Sequence, residues 1–215
     1  MKQKITVLFF SLLAVAFINC KPVNKPQSSA TTAAMVTGAG QTEKYLSLLK
    51  GRRVAILANP TSIIGHIHLV DSLKKIGIHI VKVFGPEHGF RGNASAGAKV
   101  ADEIDPTTGI PVISLYGGKS KPSKEDLADV DLMMYDLQDV GYRFYTNINA
   151  LARLMEACAE NNKELLILDR PNPNGYFIDG PILDMKLKSG IGMFPIPITH
   201  GLTIGEFAQM LNGEG

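Results

Sequence analysis

The residues best suited to chemistry are an acid, an imidazole and a guanidinium in the segment 84–92, FGPEHGFRG. A proline and several glycines in this segment hold the backbone and let it approach a ligand closely. In such a loop Glu87 could act as a general acid or a nucleophile. His88 could orient a substrate, share a proton with Glu87 or bind a carbonyl. The alternative role is structural, with Glu87 ion-paired to Arg91 to brace the loop.

A second group of candidates lies in the segment 136–146, DLQDVGYRFYT. Asp136 or Asp139 could supply a second carboxylate. Arg143 could clamp an anionic group, and Tyr145 could stack on a sugar ring or donate a proton. The structural alternative pairs Asp139 with Arg143 and places the aromatic rings in the core.

Two further polar groups follow later in the chain. Asp169 and Arg170 precede a proline-rich turn in which Asn172 could bind a ligand or the backbone. His200 comes just before the last predicted helix, whose N-terminus would favour an anion. We interpret all of these residues as candidates for one polar site.

The candidate residues include donor atoms that a metal could use, but their spacing fits no metal motif. The sequence has no HExxH, no Cys pair and no HxH at a strand end, since His66-Ile67-His68 is predicted to be a loop. No GxGxxG follows the first strand, where Asn59-Pro60-Thr61 stands instead. We therefore predict neither a metal nor a nucleotide cofactor, and keep a metal-dependent hydrolase as an alternative.

The elements that must position these residues alternate between strand and helix. This alternation predicts an α/β fold with a mostly parallel sheet and helices on both faces, and places the candidates at the carboxyl edge of the sheet. The prolines after Asp169 predict an ordered loop over that edge. The predicted strands are 52–59, 79–85, 112–115, 131–136 and 164–169, and the predicted helices are 69–75, 123–128, 146–161 and 203–211.

Two residues in predicted helices have structural explanations. Thr203 and Glu206 have the spacing of a capping box, which accounts for the glutamate. Cys158 lies on the apolar stripe of the helix 146–161. We therefore expect its thiol to be buried and structural, and not to act as a nucleophile.

The N-terminal region has the pattern of an export signal. Lys2 and Lys4 precede an apolar run of about 14 residues, whereas a membrane span needs about 20. Cys20 stands where a bacterial lipoprotein carries its acylated cysteine. We predict a lipoprotein-type signal at 1–20, a flexible Pro/Ser/Thr/Ala-rich spacer at 21–42 and one domain at 43–215. The net charge of +2, spread along the chain, indicates no nucleic-acid partner.

Four motifs together resemble the bacterial DUF1343 family, known for exo-β-N-acetylmuramidases of the NamZ type. They are PEHGFRG at 86–92, DLQDVG with RFYT within 136–146, LDRPNP at 168–173 and HGLTIGE at 200–206. The resemblance implies a Rossmann-like N-terminal domain, a smaller second domain and a cleft between them. It assigns the catalytic role to Glu87, and it implies pocket roles for His88, Arg91, Asp136, Gln138, Asp139, Arg143, Tyr145, Asp169, Arg170, Asn172 and His200.

The resemblance also implies a substrate and a location. The expected substrate is a peptidoglycan fragment from which N-acetylmuramic acid is released at the non-reducing end. Asp136 or Asp139 is then the expected second carboxylate, and Arg143 or Arg170 would hold the lactyl carboxylate. The protein would be periplasmic or on the cell surface, anchored to a membrane through Cys20. A lipoprotein that binds muropeptides without cleaving them is the alternative from another functional class.

Two features depart from the family pattern. Asn147-Ile148-Asn149 stand where relatives often have an aromatic residue and small hydroxyl residues. The chain also stops near the place where the second domain of the family begins, so we expect that domain to be missing.

Overall fold

The protein, analysed as a computed structural model, is described for residues 35–92 and 102–214. Its centre is a six-stranded sheet. The strands are β1 (Val54–Ala58), β4 (Ile80–Gly85), β5 (Glu103–Ile104), β6 (Pro111–Ser114), β7 (Leu132–Asp136) and β8 (Glu164–Ile167). Their order across the sheet is β5-β6-β4-β1-β7-β8, and all pairs are parallel except that between β5 and β6. The parallel strands β6-β4-β1-β7-β8 have the order of the first five strands of a Rossmann fold, with the switch point between β1 and β7.

Helices cover both faces of the sheet. Because side chains alternate along a strand, Ile56 of β1 packs into the core on one face and Leu57 into the core on the other. The helices are α1 (Thr42–Leu49), α2 (Leu69–Lys75), α3 (Lys124–Leu127), α4 (Asn147–Glu160) and α5 (Ile204–Glu214). The first core holds α1 and α2, and the second holds α3, α4 and α5.

Local sequence signals explain where several helices begin. The Ser123 hydroxyl and the Asp126 carboxylate form a reciprocal capping box at the start of α3. At α5, Thr203 N donates to Glu206 Oε2 at 2.8 Å, and Glu206 N donates to Thr203 Oγ1 at 3.2 Å. The predicted capping role of Glu206 is therefore confirmed. Helix α4 carries buried apolar side chains on one face and begins beside Tyr135, whose hydroxyl donates to the Asn147 carbonyl.

The predicted α/β architecture is confirmed, and the predicted strands and helices are all present with ends shifted by a few residues. The elements that were not predicted include α1, the edge strand β5, and a small hairpin of β2 (Ile63–Ile64) with β3 (Ile67–His68). The segment 66–68, predicted as a loop, thus belongs partly to a strand. Two short 3₁₀ helices, Gly38–Gly40 and Met185–Leu187, were not predicted either. Cys158 is buried, as expected, and burial raises the pKa of its thiol to about 12.

The folded part begins earlier than the predicted spacer boundary. Gly38 N donates to the Asp169 carbonyl at 2.7 Å, and Ala39 is fully buried. A Cβ on Gly38 would lie 2.6 Å from Asp169 N, so this close approach requires glycine. The Gly-Ala-Gly sequence resembles a linker, but here it allows backbone packing against the end of the sheet. The predicted signal at 1–20, with Cys20, lies outside the described residues.

The connection from β8 to α5 contains a short 3₁₀ helix, Met185–Leu187, and little other regular structure. A bridge between Thr199 and Tyr142 fastens this connection to the loop that follows β7, and a bridge between Thr199 and Asp179 joins two parts of the connection itself. It is therefore an ordered loop, as the prolines predicted. In the described ranges, no helix combines the length and the apolar character that crossing a membrane would need.

Candidate active site

An open cleft of about 570 Å³ lies at the carboxyl ends of β1, β4, β6 and β7. This is the edge where an open α/β sheet binds its ligands. The cleft wall combines aromatic and apolar side chains with a few polar ones, which is typical of small-molecule sites. Its polar and aromatic lining includes Asn59, Glu87, His88, Tyr116, Phe144, Tyr145, Asn149 and Arg153.

The loop after β4 presents Glu87 and His88 to the cleft. Gly89 N donates to the Pro86 carbonyl at 2.9 Å, which closes a tight turn. His88 has a φ of 70° in this turn, a left-handed conformation that is uncommon outside glycine. Behind the turn, Phe90 is buried and packs edge-to-face on His68, so the loop is anchored from within.

The Glu87 carboxylate is half-buried and is not used to brace the loop. Arg91, its expected ion-pair partner, instead contacts Asp71 and Asp105 at 2.7 and 2.8 Å. Across residues 35–92 and 102–214, no hydrogen bond or ion pair engages the carboxylate of Glu87. The structural alternative, a Glu87–Arg91 pair, is therefore not the arrangement observed.

Arg91 belongs to a charged cluster outside the cleft wall. Its guanidinium lies 4.4 Å from the centroid of the Phe90 ring and holds two carboxylates. Burial acts to raise the pKa of Asp105, but hydrogen bonds from Arg91 and Thr108 outweigh it and bring this pKa to about 2. The hydrogen bonds from Arg91 likewise lower the pKa of Asp71. Arg91 thus fixes the base of the loop that carries Glu87.

Asp136 is fully buried beneath the cleft and is paired with Arg170. The Arg170 guanidinium donates to both carboxylate oxygens, at 2.7 and 2.9 Å, and its side chain is 5% exposed. Burial raises the pKa of Asp136, and Arg170 acts in the opposite direction. The pair joins the ends of the neighbouring strands β7 and β8. Neither residue lines the cleft.

Asp139, Arg143 and His200 form a second buried group. Asp139 Oδ2 accepts from Gly141 N at 2.7 Å and lies 3.5 Å from His200 Nε2. His200 Nδ1 accepts from Leu202 N at 3.3 Å. The Arg143–Asp139 ion pair that the structural alternative predicted is not present. Its guanidinium donates to the carbonyls of Pro181 and Ile196, at 2.9 and 2.6 Å.

The remaining candidates hold the surrounding loops together. Gln138 Nε2 donates to the Pro171 carbonyl at 2.8 Å. Asp169 accepts from Gly205 N at 2.7 Å and so caps the start of α5. Asn172 Nδ2 donates to the Leu202 carbonyl at 2.9 Å. Of the predicted site residues, the structure brings Glu87, His88 and Tyr145 together at the cleft, and it places the others in the network behind and beside it.

Three polar residues of α4 that line the cleft, Asn147, Asn149 and Arg153, were not selected as site residues from the sequence. The two asparagines had been noted only as a departure from the family pattern. Asn149 is 3% exposed, and its Nδ2 donates to the Gly190 carbonyl at 2.8 Å. Its Oδ1 is buried without a hydrogen-bond partner among the described residues. The signal was present, because Tyr145, Asn149 and Arg153 are spaced by four residues and share one side of the chain entering the helix.

Metal-binding donors do not gather in the described ranges. No three side chains among His, Cys, Asp and Glu come together there in a way that could hold an ion.

The sequence profile described as exo-beta-N-acetylmuramidase NamZ, N-terminal, matches residues 54–215. The chain belongs to this family. The match covers the sheet and the whole cleft wall described above, and it agrees with the resemblance that the four motifs indicated.

The chain is similar to one curated NamZ protein and to two proteins of known structure. The peptidoglycan beta-N-acetylmuramidase NamZ of Bacillus subtilis is 47% identical over 173 residues, which are 79% of this chain and 42% of that protein. A crystal structure of a DUF1343 family protein from Bacteroides fragilis has a TM-score of 0.74 and 50% identity, over 83% of this chain and 47% of that one. A second from the same organism has a TM-score of 0.76 and 43% identity, over 83% and 46%. The chain spans less than half the length of these relatives.

Proposed function

We propose that this chain supplies the Glu87-bearing wall of an exo-β-N-acetylmuramidase. The enzyme would release N-acetylmuramic acid from the non-reducing end of peptidoglycan fragments during cell-wall turnover. The similarity to the Bacillus subtilis enzyme supports the substrate class. The observation that carries the proposal is the unpaired carboxylate of Glu87. Among the described residues that line the cleft, Glu87 is the one acid, and no hydrogen bond or ion pair engages it there.

Glycosidic cleavage needs a group that protonates the leaving oxygen and a group that attacks the anomeric carbon or activates water for the attack. Glu87 is accessible at the cleft and could perform either step. Asp136 and Asp139 do not line the cleft. Both Asp136 oxygens accept from Arg170, and Asp139 Oδ2 accepts from Gly141 N, whereas Asp139 Oδ1 is buried without a partner among the described residues. We propose that these two residues support the site from behind, whereas Glu87 acts on the glycosidic bond.

Two aromatic side chains suit the cleft to a sugar. Phe144 and Tyr145 are 50% and 41% exposed although both are large and partly apolar. Exposed rings at a cleft wall can stack on the apolar face of a pyranose. Phe144 is also held from behind by the Arg143 guanidinium, which lies 5.3 Å from its ring centroid.

The test is hydrolysis of the disaccharide MurNAc-GlcNAc by the complete gene product, with free N-acetylmuramic acid measured. We expect Glu87→Gln to lower turnover about 10²- to 10⁴-fold, the usual contribution of a positioned acid or base. Glu43→Gln is the matched control, because Glu43 is exposed on α1 at the other face of the sheet. Near wild-type turnover by Glu87→Gln would remove the catalytic assignment. Tight binding with no sugar released by the wild type would favour the non-catalytic binder.

The same variant site separates the two possible roles of Glu87. If it is the acid, Glu87→Ala should retain activity on an aryl glycoside of N-acetylmuramic acid, whose leaving group needs no proton. If it is the nucleophile, added azide should restore turnover by attacking the β-linked substrate directly and should yield the α-glycosyl azide, whereas a β-glycosyl azide would indicate loss of the acid or base.

We also propose that the protein is exported and anchored through a lipid on Cys20. The apolar run before Cys20 and the spacer after it support this. Cells given an alkyne-tagged fatty acid should label the wild type and Cys158→Ser, the matched control, but not Cys20→Ser. Equal labelling and membrane association of Cys20→Ser would overturn the proposal.

A further inference from the structure

N-acetylmuramic acid differs from N-acetylglucosamine by a lactyl ether that ends in a carboxylate. A site that selects this sugar therefore gains from a cation, and a guanidinium is the best match because it holds a carboxylate through two parallel hydrogen bonds. An arginine in this role must line the cleft and must not already be paired within the protein.

Five of the six arginines are engaged within the protein. Arg143 donates to backbone carbonyls, and each of the other four holds a carboxylate. Arg143 and Arg170, the predicted ligands of the lactyl group, are also almost fully buried and do not line the cleft. The engaged pairs are Arg52 with Glu164, Arg53 with Asp131, Arg91 with Asp71 and Asp105, Arg143 with Pro181 and Ile196, and Arg170 with Asp136.

Arg153 is the sixth. It lies in the middle of α4, is half-buried and lines the same cleft as Glu87. In the part of the chain that the structure describes, no carboxylate or carbonyl accepts a hydrogen bond from its guanidinium, and no lysine lines the cleft. A fixed positive charge therefore faces the cleft that holds the unpaired Glu87.

A second observation on the same helix indicates a site for a polar ligand. Asn149 lies one turn before Arg153, and residues four apart are neighbours on a helix surface. Its Nδ2 is committed to the Gly190 carbonyl, whereas its Oδ1 is buried without a partner among the described residues. A buried acceptor of this kind is costly. Because Asn149 lines the cleft, the wall beside Arg153 is polar.

We propose that Arg153 binds the free lactyl carboxylate of N-acetylmuramic acid, an inference that rests on the proposed function. The consequence is a specificity-determining role for a residue of α4. An amide at the lactyl position carries no negative charge, so its contact with Arg153 is weaker than that of the acid.

The test compares two substrates in each protein preparation: MurNAc-GlcNAc and the same disaccharide with the lactyl carboxylate converted to a primary amide. We expect the wild type to prefer the acid by about 10- to 150-fold in kcat/KM, the usual range for a charge-assisted hydrogen bond. Arg153→Gln should lower kcat/KM for the acid and leave that for the amide nearly unchanged. Arg153→Lys should keep part of the preference, because an ammonium retains the charge without the two-pronged geometry.

The ratio of the two rates is insensitive to the fraction of folded protein, so a partly misfolded variant still gives an answer. Lys44→Gln is the matched control for loss of one positive charge, since Lys44 is exposed on α1 at the opposite face, and it should leave the ratio unchanged. An undiminished preference for the acid in Arg153→Gln would overturn the inference while leaving the proposed function intact. If the wild type releases no sugar from either substrate, the proposed function fails and this inference falls with it.

Discussion

The buried pair of Asp136 and Arg170 offers the sharpest test of how the site is supported. Replacing Asp136 by Asn keeps the shape of the side chain but leaves the guanidinium of Arg170 without its countercharge. Asp136 is fully buried, and the two oxygens lie 2.7 and 2.9 Å from guanidinium nitrogens. Removing one member of such a pair costs about 3–5 kcal/mol, because the remaining charge is buried and uncompensated.

For a domain of this size we therefore expect the melting temperature to fall by about 6–20 °C, since 1 kcal/mol corresponds to about 2–4 °C. Urea unfolding followed by far-UV circular dichroism measures the free energy directly. The control is Glu160→Gln, which breaks the pair with Lys121 at 2.9 Å, in which the side chains of Glu160 and Lys121 are 52% and 32% exposed. This exposed pair should be worth less than about 1 kcal/mol.

Asp136→Asn also tests whether Asp136 supports the site or takes part in catalysis. If Asp136 only supports the site, the activity of Asp136→Asn per folded molecule should fall much less than that of Glu87→Gln. A loss of stability below about 1 kcal/mol for Asp136→Asn would refute the reasoning from burial. If that small loss came with a drop in turnover as large as that of Glu87→Gln, Asp136 would have to be regarded as the second catalytic carboxylate.

Three further outcomes are expected. Because Asp105 has a pKa of about 2, lowered from 3.8, its contribution of about 2 kcal/mol is present above pH 4 and lost as the pH falls towards 2. In Asp105→Asn, urea midpoints across that range should fall less steeply. Native Cys158 should resist iodoacetamide until the protein is unfolded, since its thiol is buried and its pKa is about 12. Gly38→Ala should lower the free energy of unfolding by about 1–3 kcal/mol, whereas Gly118→Ala, which meets nothing within 4 Å, should have little effect.

The alternating sheet and helices could be predicted because their signals are local. The apolar run that became β1 is long, and the stripe on α4 repeats with helical spacing. The hairpin of β2 and β3 and the edge strand β5 have only two residues in each strand, too few for a periodic pattern. The start of the domain was also hidden, because Gly38 is held by a backbone contact with Asp169, more than a hundred residues away in sequence.

The candidate site was harder to predict for a different reason. Polar residues at strand ends mark the functional edge of the sheet, and Glu87, Asp136 and Arg170 all obey this rule. Sequence cannot say which of them face each other. Strands β7 and β8 are neighbours, so the residues after them pair and become buried. Glu87 follows β4, and Arg91, the arginine nearest to it in sequence, forms an ion pair with Asp71 of α2 instead.

Arg153 presents the opposite difficulty, because its sequence pattern does not indicate a functional residue although it lines the cleft. On a helix, a lone arginine opposite an apolar stripe has the pattern of a solvated surface residue. It faces a cleft only because the loops after β4 and β6 and the segment around Gly190 come together around α4, a meeting of distant segments without a local signal. The spacing of Tyr145, Asn149 and Arg153 could identify these residues as neighbours, but only the fold shows that they share a wall with Glu87. If the acid-over-amide preference depends on Arg153, the residue that selects the substrate lies on the helix after β7, and the residue that acts on the bond lies on the loop after β4.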